Sequence, residues 1–114
     1  MKRFCFALDL KNDPELIDEY IKQHENVWPE ILDSITNAGI INMEIYNVGN
    51  RLFMIMETTD DFDPEAKAEA DQNNPKVQEW ESLMNNYQKR LPFAKEHQKW
   101  VQMNRIFSLN KQRT

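Results

Sequence analysis

Three side chains that could do chemistry fall at four-residue intervals in one stretch, Tyr20-Ile-Lys-Gln-His24-Glu-Asn-Val-Trp28-Pro29. On a helix, residues four apart are neighbours on one face, so a phenol and an imidazole can project together. Such a pair suits proton transfer. An imidazole has an ordinary pKa of about 6.5 and offers both protonation states near neutrality, whereas a phenol, at about 10, is a poorer base but a good hydrogen-bond donor. The same spacing serves a core equally well, since Tyr and Trp recur at helical intervals wherever a ring packs inward with its polar tip satisfied. Pro29 ends or kinks the helix just beyond Trp28.

The rest of the inventory narrows the chemistry. The only histidines are His24 and His97; with no His-x-x-x-His and a single cysteine, no metal site is expected. Gly39 and Gly49 are the only glycines, which excludes a phosphate-cradling loop, and no nucleotide cofactor is expected. Ser34, Ser82 and Ser108 sit in ordinary helix or strand contexts without a nucleophile elbow. What remains is the His/Tyr pair, carboxylates at Glu44, Glu57 and Glu81, and the rings of Trp28, Trp80 and Trp100. That set suits reversible proton transfer on a small neutral molecule held against an aromatic ring.

Charge and length bound the partners. Fourteen Lys and Arg against nineteen Asp and Glu give a formal charge of -5, which argues against nucleic acid or an anionic membrane. The apolar run Phe4-Cys5-Phe6-Ala7-Leu8 meets Asp9 too soon to be a signal or membrane segment, so a soluble, cytoplasmic chain is expected. Cys5, alone in that run, reads as a small core side chain. The length, 114 residues, suits one domain over residues 1–114 with one core.

The elements that must position the pair can be read from periodicity. Phe4, Phe6, Leu8 and Leu10 alternate with Arg3, Cys5, Ala7 and Asp9, the period-two signature of a strand. Asp13-Pro14-Glu15 opens a helix that runs through His24, breaks near Asn26, resumes at Ile31 and stops at Gly39. Ile41, Met43 and Ile45 then alternate with Asn42, Glu44 and Tyr46, and Leu52, Met54 and Met56 with Phe53, Ile55 and Glu57; Gly49-Asn50 between them fits a type II′ hairpin turn. Asp63-Pro64 and Asn74-Pro75 open two more helices, the second carrying Val77, Trp80, Met84 and Tyr87 up to Pro92. Trp100 to Leu109 reads as a final strand.

The order is β-α-β-β-α-β with an extra helix, which predicts an α+β, ferredoxin-like fold: a four-stranded antiparallel sheet with helices on one face. The other face needs a cover, and is expected to be a ligand cavity, a dimer surface or both, with Arg3, Asn42, Glu44, Tyr46, Glu57, Gln102 and Asn104 as its polar groups.

Tyr20-x-x-x-His24-x-x-x-Trp28-Pro29-Glu30, then Gly39 leading to Ile45-Tyr46, Leu52-Phe53, and Trp80 with Leu83-Met84, resembles the L-rhamnose mutarotase family over almost the whole chain. The resemblance implies a ferredoxin-like fold that dimerises through its sheets into an α/β barrel, and a cofactor-free enzyme interconverting the α and β anomers of a 6-deoxyhexose. It makes His24 the proton donor and acceptor, Tyr20 a catalytic and substrate-binding neighbour, and Trp80 a wall of the sugar site, with Trp28 beside it. Two positions depart. Members acting on L-rhamnose often carry an aromatic where this chain has Met43, and a second Trp where it has Glu81. Both belong to the substrate-binding set, so the acid/base chemistry is expected to stand while the sugar shifts, with L-fucose the other candidate. A dimeric ferredoxin-like monooxygenase or haem-degrading protein, and a non-enzymatic binding module, are the competing readings.

Overall fold

The computed structural model describes residues 1–113. Strand β1 (Lys2–Leu10) leads into helices α1 (Pro14–Gln23) and α2 (Pro29–Asn37), strands β2 (Ile40–Val48) and β3 (Arg51–Thr58), and helices α3 (Pro64–Gln72) and α4 (Pro75–Asn85). Two short strands, β4 (Gln88–Lys89) and β5 (Val101–Gln102), and helix α5 (Leu109–Arg113) complete it.

Each of the three Asx-Pro sequences starts a helix. The side chains of Asp13, Asp63 and Asn74 accept from the backbone N–H two residues on, at 3.0, 3.0 and 3.1 Å, satisfying donors that the first helical turn leaves unpaired. The strands form one open antiparallel sheet in the order β2-β3-β1-β4, with β5 also on β1, as a ferredoxin-like α+β fold requires. Gly49 has φ of 57° and Val48 pairs with Arg51, the geometry of the expected two-residue turn.

Three expectations need correction. The stretch from Trp100 to Leu109 is not one strand: only Val101 and Gln102 join the ladder, and Leu109–Arg113 is helical. β4 lies against Asp9 and Leu10 while β5 lies against Phe6 and Ala7, so two fragments share the sheet's fourth position. Helix α4 stops at Asn85, freeing Tyr87 and Gln88 to turn back onto β1. Finally, a bulge between Ile40 and Asn42 puts Ile40 in the core at 3% exposure and leaves Ile41 at 60%, the reverse of the simple alternation.

The helices cover the face that carries Leu8, Leu10, Leu52, Met54 and Met56, all buried. Their core has one half with Tyr20, Trp80 and Tyr87 around Leu10, Ile31 and Leu52, and a second half of Ile40, Met54, Met56 and Phe62. Gly39, at φ of 93°, allows the close turn from α2 into β2; a Cβ there would stand 2.9 Å from Thr59 Oγ1.

Candidate active site

Helix α1 ends at Gln23, and α2 begins at Pro29, which holds the preceding Trp28 in an extended conformation, φ -58° and ψ 137°. His24 therefore becomes the C-cap of α1, where carbonyls of the last turn lack helical partners. Its Nδ1 lies 2.8 Å from the Tyr20 carbonyl oxygen and donates to it, which settles the neutral tautomer and leaves Nε2 as the nitrogen available to a ligand. The imidazole stacks on the Tyr20 ring, centroids 4.4 Å apart and planes 6° from parallel, and meets Trp80 edge-on at 5.6 Å. Two rings and one hydrogen bond thus fix the imidazole.

The two titrating groups are displaced in opposite directions by the same cause. Burial disfavours charge, so it pushes the His24 pKa below its ordinary value, with the hydrogen bond to the Tyr20 carbonyl opposing weakly, and pushes Tyr20 above its own. A hydrogen bond from Gln88 Nε2 to Tyr20 Oη, 3.3 Å long, partly offsets the second shift. At neutral pH the site holds a neutral imidazole, ready to accept a proton, beside a phenol that keeps its own.

These groups line a cavity of about 820 Å³ between the helices and the covered face of the sheet. The expectation of a cavity on the uncovered face is thereby corrected: strand alternation identifies two faces but not which one the helices stand off from. Tyr20, His24, Met43, Trp80 and Glu81 all reach this one space. Trp28 packs edge-on behind Trp80 at 5.1 Å, with Lys76 Nζ over its ring, and supports the wall without forming it. Glu81 is half exposed at the mouth and lies 3.4 Å from Lys99. Of the polar residues assigned to the open face, Gln102 pairs with Phe6 and so shares the covered face, and Asn104 lies beyond the strand.

Sequence reasoning missed Lys67 and Asp71, an ion pair at 2.7 Å at the cavity edge, along with Gln88 and Lys99. The i,i+4 spacing of Lys67 and Asp71 was visible but is the usual mark of a solvated helix face. Nothing local distinguishes Gln88 from its polar neighbours. Among the described residues no three His, Cys, Asp or Glu side chains converge as a metal site would need, and no helix is long and apolar enough to cross a membrane.

A family model described as L-rhamnose mutarotase matches residues 3–109. The chain belongs to the L-rhamnose mutarotase family. It is 44% identical over 112 residues to the L-fucose mutarotase of Xanthomonas campestris pv. campestris, covering 96% of this chain and 90% of that one. In structure it is similar to the L-rhamnose mutarotase of Formosa agariphila, with a TM-score of 0.70, 19% identity and coverage of 96% and 99%. Tetracenomycin F2 cyclase from Streptomyces glaucescens has the same fold, with a TM-score of 0.64, 15% identity and coverage of 95% and 96%. One fold thus carries unrelated chemistries, and family membership, not the fold, makes this mutarotase-family chain a sugar mutarotase and hence an isomerase.

Proposed function

We propose that this mutarotase interconverts the pyranose anomers of a 6-deoxyhexose, with L-fucose as its sugar, and that His24 carries the proton. The observation that supports the assignment is the committed Nδ1 of His24: with that nitrogen donating to the Tyr20 carbonyl, the neutral Nε2 is left with a lone pair in a residue lining the cavity. Nε2 takes the proton of the anomeric O1 hydroxyl as C1=O1 forms and the C1–O5 bond breaks. The imidazolium then gives that proton to O5, completing the open aldehyde. Rotation about C1–C2 and the reverse steps close the ring to the other anomer, with no net proton change. Tyr20, its pKa raised by burial, is better suited to hydrogen-bond O5 than to surrender a proton to it. Trp80 offers a ring for the apolar face and methyl group of the sugar.

L-fucose is favoured over L-rhamnose by the 44% identical L-fucose mutarotase and by Met43 and Glu81 in the cavity lining, where L-rhamnose members often carry aromatics. Exchange NMR on the anomeric protons of each sugar, with and without protein, tests this directly. Accelerated exchange of L-fucose is expected; no acceleration of either sugar would overturn it.

We also infer a homodimer formed through the uncovered sheet face. Cys5, Ala7, Phe53, Ile55 and Tyr46 form an apolar strip there, bracketed by the Arg3–Glu57 and Arg51–Asp9 ion pairs at 3.2 and 2.7 Å. An apolar centre with a charged rim is the usual anatomy of a protein interface. Apolar residues after β5 need cover as well, with Ile106 96% exposed. Sedimentation at low micromolar concentration should give twice the 13.7 kDa chain mass; a monomer would contradict it.

A further inference from the structure

We infer that Gln88 is a positioning residue that turns the Tyr20 hydroxyl proton toward the bound sugar. The inference rests on the mutarotase reading above and assigns a role to a residue that touches the reaction only through Tyr20. Gln88 pairs with Leu10 across the β1–β4 ladder, so its side chain projects to the covered face, where it lines the cavity. Its Nε2 donates to Tyr20 Oη at 3.3 Å. Its Oε1 is the one buried side-chain oxygen or nitrogen without a hydrogen-bond partner among the described residues.

That orphan oxygen is the informative detail. A hydroxyl has a single proton to give, and one that accepts from an amide keeps that proton for another acceptor. Among the described residues Tyr20 Oη has no such acceptor, so its proton is left for whatever occupies the cavity. Were the amide turned over, Tyr20 would spend its proton on Gln88 Oε1 and have none left for a ligand. The observed orientation leaves one oxygen unpaired and keeps the phenol proton free for O5. A buried group kept unsatisfied beside a reaction site is the pattern of a residue retained for function at some expense of stability.

The test is a double-mutant cycle with Gln88→Met, which matches the length of Gln and removes both polar atoms, and Tyr20→Phe. Alone, Gln88→Met should slow L-fucose anomer exchange about three- to tenfold, the scale of one neutral hydrogen bond, in kcat more than in KM. In the Tyr20→Phe background it should cost nothing further. Its melting temperature should equal or exceed that of the wild type, because the orphan oxygen is gone. Equal losses in both backgrounds, or a lower melting temperature with the rate unchanged, would overturn the positioning and leave a structural role. If the wild type exchanges no 6-deoxyhexose, the mutarotase reading itself fails. The positioning is then read from the Gln88 side-chain amide protons in NMR spectra of the wild type and Tyr20→Phe: displaced signals support it and unchanged ones overturn it.

Discussion

The covered and uncovered faces of the sheet follow different rules. Toward the helices, β1 and β3 present Leu8, Leu10, Leu52, Met54 and Met56, and the cavity's two titrating rings, Tyr20 and His24, come from the last turn and the C-cap of α1. Away from the helices the same strands present Arg3, Asp9, Arg51 and Glu57, paired across the ladder around an apolar centre. Strand side chains alternate rigidly, so the sheet makes a good floor. A helix end can do what a strand cannot: it leaves carbonyls unpaired, and one of them orients His24. The sheet thus floors the cavity, and the C-terminal end of α1 brings Tyr20 and His24 to it.

The sharpest way to break this comparison is to remove the imidazole. His24→Asn should lower L-fucose exchange about 10²- to 10⁴-fold, the usual contribution of a positioned acid/base, with the far-UV spectrum and oligomeric state unchanged. A folded His24→Asn protein that keeps most of its rate would move the chemistry elsewhere.

Adjacent residues of β3 then test the two faces against each other. Phe53 faces outward beside Ala7 and Tyr46, whereas Met54 faces inward beside Phe6 and Ile45. Phe53→Glu should weaken the proposed dimer by about 30-fold or more, a cost of about 2 kcal/mol or greater at an interface centre, with little loss of monomer stability. Met54→Ala should instead lower folding stability by about 2–5 kcal/mol and leave dimer affinity nearly unchanged. Analytical ultracentrifugation and denaturant titration read the two effects separately, and similar behaviour of both variants would contradict the assignment of faces.

How much of this was legible beforehand depended on whether the signal was local. The caps at Asp13, Asp63 and Asn74 and the alternation of β1 and β3 are short-range effects, and they appear where the sequence places them. The Tyr20-His24 adjacency was legible for the same reason, since one helical turn brings the rings together. The last strand was not. Val101, Met103, Phe107 and Leu109 look like a strand face, but ladder pairing with β1 ends at Val101 and Gln102, followed by a single hydrogen bond from Met103 N–H to the Cys5 carbonyl. Ile106 and Phe107 then stand exposed, and the proposed second copy would supply their cover. The cavity's side of the sheet, and the roles of Gln88 and Lys99, depend on how distant segments pack and leave no local trace.

Acidity sharpens the site further. Burial holds the His24 pKa below about 6.5, the ordinary imidazole value, so the base form persists to lower pH than in free solution. Once the acid-catalysed background is subtracted, kcat/KM should fall about tenfold per pH unit below a midpoint that itself lies under 6.5. The sign for stability is the same. The unfolded imidazole protonates first as pH falls, so the stability present above about pH 6.5 is lost as the pH drops through the lower folded value. A kinetic midpoint at or above 6.5 would point to a different group.

The smallest effect expected is at Glu81, where the mouth of the cavity meets solvent. Its carboxylate is 49% exposed and lies 3.4 Å from Lys99, so the charge is both hydrated and matched, and such pairs contribute about 1 kcal/mol or less. Discrimination between two 6-deoxyhexoses needs little more than that, because the sugars differ in hydroxyl orientation and one polar contact separates them. Glu81→Trp exchanges an acceptor for a stacking surface at the same cavity edge. It should move the ratio of L-fucose to L-rhamnose exchange rates about two- to tenfold toward L-rhamnose, while Glu81→Gln, which keeps an acceptor, should move it less. If the ratio is the same in all three proteins, Glu81 serves Lys99 alone, and the choice of sugar is made deeper in the cavity, on the side where Met43 stands.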